Sequence, residues 1–313
     1  MTPAEFFLQQ SYVGLTIGAY YALIALGYTM VYGIIELINF AHGDLFAFGF
    51  LISLTLFGVF GLQAPLEPMQ AVVFLPLIFL ITMLSAGSLN LLIDRVAYRP
   101  LRNAPRLAPL ITAVGVSFML ENIFAIWYTP GQINYPAFLP SVNVLQDWLG
   151  LTTALRIRSI DLLPIVVPVP LMIGLTVFVA RTKVGKAMRA AAQDRDAARM
   201  VGIDVERVIM LTFFIGGALA GAAGMIVGLF LNTGRYLMGF EAGLFAFTAA
   251  VLGGIGNIRG ALLGGFVIGM IRVYSDTYLA AEWTRSVIFA VLILVLVFFP
   301  SGLVGSTTTV EKA

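Results

Sequence analysis

Apolar positions run almost without interruption along this chain, and polar residues are gathered into a few short segments between them. A helix needs about 20 apolar residues to cross the ~30 Å hydrocarbon core of a bilayer, where every backbone amide must be satisfied within the segment. On that scale the pattern predicts crossings near residues 12–34, 44–60, 70–93, 108–128, 161–180, 207–230, 241–257, 261–280 and 285–303. The first, second, seventh and eighth carry glycine breaks. The expected fold is an all-α polytopic membrane protein of about eight to nine transmembrane helices, some discontinuous at glycine, in one membrane domain over residues 1–313. Its polar interruptions, at most about 25–30 residues, are too short for a separate soluble domain.

Composition supports this class. The 313 residues are 60% hydrophobic and 11% charged with a mean hydropathy of +0.97, and a soluble domain would need more charge to cover its surface. With no cysteine and one histidine, disulfides, thiolate sites and a histidine-rich metal centre are excluded, and no cofactor is expected. The N-terminal MTPAEFFLQQSYVG lacks the basic region of a secretory signal, so no cleaved leader is expected.

Placement of positive charge predicts orientation. Of the 18 Lys and Arg residues, 4 lie in Arg95 to Arg106 and 7 in Arg181 to Arg207, and both segments should face the cytoplasm. An even number of predicted crossings separates them, so the two assignments agree. The loop 129–160 is then external, the C-terminus cytoplasmic and the N-terminus external.

Within the apolar runs, INFAHGDLFAFG at residues 38–49 places the single histidine between an asparagine and an aspartate. On a continuous helix Glu36, Asn39 and Gly43 share one face, with His42 three residues beyond Asn39. Polar groups at such depth are costly, so they mark a pathway or satisfy backbone groups freed at the NFAHG break. LGGIGNIRGALLGG at 252–265 is a second break, and two such breaks are the sequence pointer to paired discontinuous helices around a central path. The expected substrate path is Glu36, Asn39, His42, Gly43, Asp44, Gly253, Gly254 and Gly256, lined mainly by small and aromatic side chains with few charged contacts.

Four glycine pairs one helical turn apart, in GALAG at 217–221, GMIVG at 224–228, GALLG at 260–264 and GFVIG at 265–269, predict close helix seams. Glu121 and Asn122 are expected to make an interhelical hydrogen bond, Arg272 and Asp276 to pair, and Glu241 to sit at the membrane interface. Topology and lipid phosphate account for Arg95, Arg99, Arg102 and Arg106.

The segment RTKVGKAMRAAAQDRDAARMVGID, 181–204, is alanine-rich and predicts a helix over 186–200, ended by Gly202, across the cytoplasmic mouth. Small side chains edged by Lys186, Arg189, Arg195 and Arg199 suit docking to another protein. KVGKA at 183–187 lacks the first glycine and the Ser or Thr of a phosphate loop, so nucleotide chemistry belongs to a partner. The chain offers no HExxH and no nucleophile set, which argues against an intramembrane enzyme.

DAARMVG at 196–202 fits the first half of the loop by which ABC importer permeases engage their ATPases; the second half, an Ile, Leu, Pro element, is absent. Taken with YALIALGYTMVYGIIELINFAHGDL, RVAYRPLR, VGIDVERVIMLTFFIGGALAGAAG, GFEAGLFAFTAAVLGGIGNIRGALLGG and LILVLVFFPSGLVG, the chain resembles the LivH-type permease of branched-chain amino acid ABC importers. The resemblance covers essentially the whole sequence apart from the loops near 61–70 and 129–160. It implies a bacterial inner-membrane subunit that pairs with a sister LivM-type permease, two cytoplasmic ABC ATPase subunits and a periplasmic substrate-binding protein for leucine, isoleucine or valine, with lipid but no nucleic acid as a further partner. It also implies that Gly185, Arg189, Asp194, Asp196, Ala197, Ala198 and Gly202 couple the chain to the ATPases. Glu36, Asp44 and Arg259 depart from the glycine, glutamate and proline usual in this type. Two alternatives stay open: an ABC permease for another small polar solute such as urea, an amide or a different amino acid, and an ion-coupled secondary transporter using Glu36, Asp44 or Glu121.

Overall fold

The computed structural model describes residues 2–35, 39–102, 104, 105, 107–148, 150 and 154–305. Its helices are α1 (Pro3–Ile35), α2 (His42–Val59), α3 (Pro68–Ile93), α4 (Leu107–Trp127), α5 (Leu163–Val166), α6 (Pro168–Arg181), α7 (Lys183–Gln193), α8 (Arg195–Met200), α9 (Val205–Leu231), α10 (Met238–Gly253), α11 (Ile258–Tyr278) and α12 (Thr284–Phe298). Among the described residues one sheet forms, the antiparallel pair β1 (Gln132–Asn134) and β2 (Thr233–Arg235), with Ile133 opposite Gly234. Eight helical stretches are long and apolar enough to cross a membrane, and α10, with 16 residues, is shorter. The protein is an all-α, multi-pass membrane protein.

Element ends move away from the predicted runs where something other than apolarity decides them. α1 starts at Pro3 instead of residue 12, and its 33 residues reach about 50 Å at 1.5 Å per residue. The run at 161–180 divides into α5 and α6 because Pro168 has no amide to donate into the preceding turn. α12 stops at Phe298, and the following turns fold back so that the Leu303 amide donates to the Leu252 carbonyl at 2.8 Å.

Burial sorts the helices into two layers. Of the central apolar stretches of α1 and α9, 83% is buried, against 11% for the stretch containing α12. α1 and α9 form the middle with α2 and α10, while α3, α4, α6 and α12 turn leucine, valine, isoleucine and phenylalanine outward toward lipid. Lipid provides no hydrophobic drive between helices, so close backbone approach at small residues must hold the centre. Gly217 and Gly221 of α9 lie on Ala86 of α3, Gly224 and Gly228 on Phe50 of α2, Gly260 and Gly264 on Gly253 and Ala249 of α10, and Gly265 and Gly269 on Ala22 and Gly18 of α1. All four predicted glycine pairs therefore sit in seams.

The bundle has two distinct ends. At one, the Gln9 side chain donates to the Arg156 carbonyl at 2.9 Å and accepts from its amide at 3.0 Å, joining the start of α1 to the loop that carries β1. We refer to this as the hairpin end, for the hairpin-like ladder that β1 forms with β2 about a hundred residues later in the chain. At the other, the basic end, Arg102 reaches Glu206 at 2.7 Å and ties the α3–α4 connection to the start of α9.

Candidate functional site

α2 begins inside the bundle. His42 packs against Gly27 of α1 and Gly216 of α9, and Gly27 precedes the end of α1 at Ile35 by eight residues, about 12 Å of helix. The chain is interrupted at the NFAHG segment as expected: Asn39 and Phe40 are coil and turn, and α2 opens at His42. Glu36 and Arg106 lie outside the described residues. α2 enters where α10 also starts, and a Cβ on Gly43 would stand 2.8 Å from the Gly243 Cα, so the two backbones touch.

The structure brings Asn39, His42, Gly43 and Asp44 together. The Tyr98 hydroxyl donates to Asn39 Oδ1 at 2.6 Å, and the Ser117 hydroxyl donates to Asp44 Oδ2 at 2.5 Å. The His42 ring stands edge-on to Tyr28 with centroids 4.6 Å apart. Asn39 Nδ2, both His42 nitrogens and Asp44 Oδ1 find no partner among the described residues, although His42 and Asp44 are fully buried. Gly253, Gly254 and Gly256 do not join this cluster. Gly253 packs on Gly260, while Gly254, at φ +107°, meets the carbonyls of Ser301 and Gly305 in the turns after α12. Gly256 instead approaches the end of α1, where a Cβ on Gly33 would stand 3.4 Å from its Cα, and the start of α2 meets the start of α10.

Above that contact, toward the hairpin end, opens a cavity of about 700 Å³. Tyr20 and Tyr21 of α1, Phe46 of α2, Phe118 and Glu121 of α4, and Val227 and Leu231 of α9 form its walls; Gln132, Arg235, Met238, Glu241, Arg272 and Arg285 complete it. Its lining combines aromatic rings with five charged side chains. Sequence alone did not gather them because they come from four elements and a hairpin return. Glu241 lies on this wall with Arg285 at 3.4 Å. Arg272 donates to the Tyr21 hydroxyl, lies 5.8 Å from the Tyr21 ring centroid and 5.7 Å from that of Phe245, and pairs with Asp276 at 3.8 Å, as its spacing predicts. The interhelical bond expected of Glu121 and Asn122 is absent among the described residues: Asn122 donates to Phe118 within its own helix at 2.7 Å. Glu121, though only 6% exposed, has neither an ion pair nor a hydrogen bond there.

The hairpin closes one side of this space. Tyr135, fully buried between Phe50 and Phe57, shares a hydrogen bond with Ser53 at 3.1 Å, and burial pushes its phenol pKa upward, so it stays neutral.

At the basic end the segment expected to be one helix over 186–200 is two. Asp194 adopts an extended conformation, and its carboxylate accepts from the amides of Asp196 and Ala197 at 2.8 and 3.0 Å, capping α8 and ending α7. Helix propensity alone does not reveal the cap. Gly202, at φ +84°, stops α8 as expected. Gly185 is buried against the carbonyls of Phe178 and Val179, and Arg189 donates to Val179, so both brace α7 on α6. Ala198 is 3% exposed and faces inward, whereas Asp194, Asp196 and Ala197 are exposed and Met200 and Val201 stand out at 88% and 75%. Arg99 and Arg102, read from sequence as topological charges, have acidic partners: Arg99 lies 3.3 Å from Glu206, and Arg102 bridges Glu206 and the buried Asp94, each at 2.7 Å.

A family profile described as "Branched-chain amino acid transport system / permease component" matches residues 12–296. The chain is similar to the high-affinity branched-chain amino acid transport system permease protein LivH of Salmonella typhimurium, at 39% identity over 300 residues covering 96% of each chain. It is 40% identical over 303 residues, again 96% of each chain, to the corresponding permease protein BraD of Pseudomonas aeruginosa. A shorter likeness, 30% over 139 residues, joins 42% of this chain to 33% of the xylose transport system permease protein XylH of Escherichia coli. No solved structure matches the chain.

Proposed function

The chain belongs to the branched-chain amino acid transport permease family, and from that premise we propose that it is the membrane subunit through which leucine, isoleucine and valine cross the inner membrane, driven by ATP hydrolysis on partner subunits. The observation that carries this reading is the full-length similarity, 39–40% identity over 96% of the chain, to proteins named for that transport. The cavity suits such cargo: aromatic rings offer an apolar wall to a branched side chain, and charges of both signs face a zwitterion. The chain itself performs no catalysis.

Its partners are a sister permease of LivM type, two cytoplasmic ABC ATPases and a periplasmic binding protein, with lipid around the rim. The basic end faces the cytoplasm, the N-terminus lies outside and the C-terminus inside. The cavity is the outward vestibule of the path, and the contact of Gly43 with Gly239 and Gly243 is its closed floor. Asn39, His42 and Asp44 lie beneath that floor, where cargo meets them only after α2 and α10 part. ATP-driven closure of the ATPases moves α7 and α8. Glu206, Arg102 and Asp94 then carry the displacement from α9 to α3.

Reconstitution in proteoliposomes tests this. Leucine uptake should require the sister permease, both ATPases, ATP and the binding protein. Uptake by this chain alone under a proton or sodium gradient would overturn the proposal in favour of secondary transport. Uptake of a sugar or urea by the full complex, with none of leucine, would overturn the cargo.

A further inference from the structure

Two charged side chains in the cavity stand apart from the rest. Arg272 is engaged by Tyr21 and Asp276, and Arg285 by Glu241. Glu121 on α4 and Arg235 on β2 have no ion pair among the described residues, and both line the same space. Glu121 lies on the buried face of α4 with Ser117, Leu120 and Phe124, and its carboxylate opens onto the cavity with no protein cation beside it among the described residues, so a charge at that depth is costly unless something positive visits it. Arg235 is held by its backbone, which pairs in register with Gln132, so its guanidinium is free while its Cα is fixed. A ligand carrying both charges would satisfy both groups.

We infer that the cavity holds a two-point zwitterion site, with Glu121 receiving the substrate ammonium and Arg235 its carboxylate. This rests on the proposed transport of amino acids and adds the residues that read the backbone end of the cargo. The aromatic walls then meet the side chain, which leaves the site tolerant of leucine, isoleucine or valine. Glu121 thus serves substrate recognition instead of an interhelical bond, and Arg235 joins it from a hairpin return that carries no recognisable motif.

The test uses the full complex in proteoliposomes with half-substrates as blockers of leucine uptake: 3-methylbutylamine, which keeps the ammonium, and 4-methylpentanoate, which keeps the carboxylate. The binding protein is identical in every assay, so a change in block between variants arises in the permease. For Glu121→Gln, half-block by the amine should require about tenfold more compound while block by the carboxylate is unchanged. Arg235→Gln should show the reverse. Glu121→Asp, which keeps the charge, should retain amine block, and it serves if Glu121→Gln fails to assemble. Equal sensitivity of wild type and Glu121→Gln to the amine would overturn the assignment, because Gln matches a protonated, merely structural glutamate. Replacing sodium by choline should leave uptake unaltered; a sodium requirement lost in Glu121→Gln would make the site one for an inorganic cation and overturn the inference. If the wild-type complex shows no ATP-dependent leucine uptake, the functional proposal itself fails, an outcome separate from any difference between variants.

Discussion

Single residues in this protein are decided by the space around them. Gly49 faces the Gly221 backbone so closely that any Cβ there would collide with main chain, which has no rotamer to yield. Gly115 of α4 faces open space. Both are interior positions of apolar helices, so propensity treats them alike, and only packing separates them. Gly49→Val is expected to cost about 1–3 kcal/mol or more through overpacking, read as a clear loss of Tm for the detergent-purified protein. Gly115→Val should leave Tm nearly unchanged, and equal losses would show that the α2–α9 seam does not hold the core. Residue type and spacing announced the seam glycines, because two glycines one turn apart have few other uses in lipid. They did not announce the place of Glu121 on the cavity wall, since much of that wall comes from residues more than a hundred positions away. They announced the break at NFAHG but not the close approach of Gly43 to Gly239 and Gly243, which lie about two hundred positions away in the chain.

At the scale of elements, the segment between α6 and α9 shows how a cap overrides propensity. Alanine-rich sequence favours one helix, yet the Asp194 carboxylate satisfies two α8 amides and starts a new axis, turning Met200 and Val201 outward and Ala198 inward. Met200→Asp or Val201→Asp should therefore abolish ATP-driven uptake while insertion and Tm stay at wild-type values. Ala198→Trp should lower Tm as well, because its site is already filled. If Met200→Asp transported normally, the docking surface would lie elsewhere. The clamp at the same end has a separate signature. Arg102 and Asp94 are shielded, with side-chain exposures of 10% and 0%. Removing only the cation leaves a buried carboxylate unpaired, so Arg102→Gln should destabilise by about 3–5 kcal/mol. The double variant Asp94→Asn with Arg102→Gln should recover much of that loss in a thermal melt. Identical Tm values for single and double variants would mean that the pair carries no coupling. The sequence showed four arginines near 95–106 but not their acids, since Glu206 is remote in the chain and Asp94 looked like the end of an apolar run.

For the whole molecule, hydropathy revealed nearly all the crossings because lipid leaves the backbone little choice, and the seventh run, expected at 241–257, is shifted to Met238–Gly253 because Gly254, at φ +107°, ends α10 early. Hydropathy could not reveal that the loop 129–160 folds into the bundle, where Ile133, Tyr135 and Phe138 are buried. That inward fold makes the orientation testable from two exposed points. Gln132 belongs to the hairpin end, and Met200 to the basic end that carries 94–102 and the start of α9. The chain has no cysteine, so a single introduced thiol reports its own position without background. In cells with a permeabilised outer membrane, an impermeant maleimide should label Gln132→Cys at once and Met200→Cys only after the inner membrane is breached. The two ends are fixed relative to each other by the helices between them, so the labels must fall on opposite sides whichever way the chain inserts. Labelling of Met200→Cys from outside and Gln132→Cys from inside would invert the protein, place α8 beyond reach of any cytoplasmic ATPase and end the importer mechanism. Labelling of both from one side would contradict the fold itself.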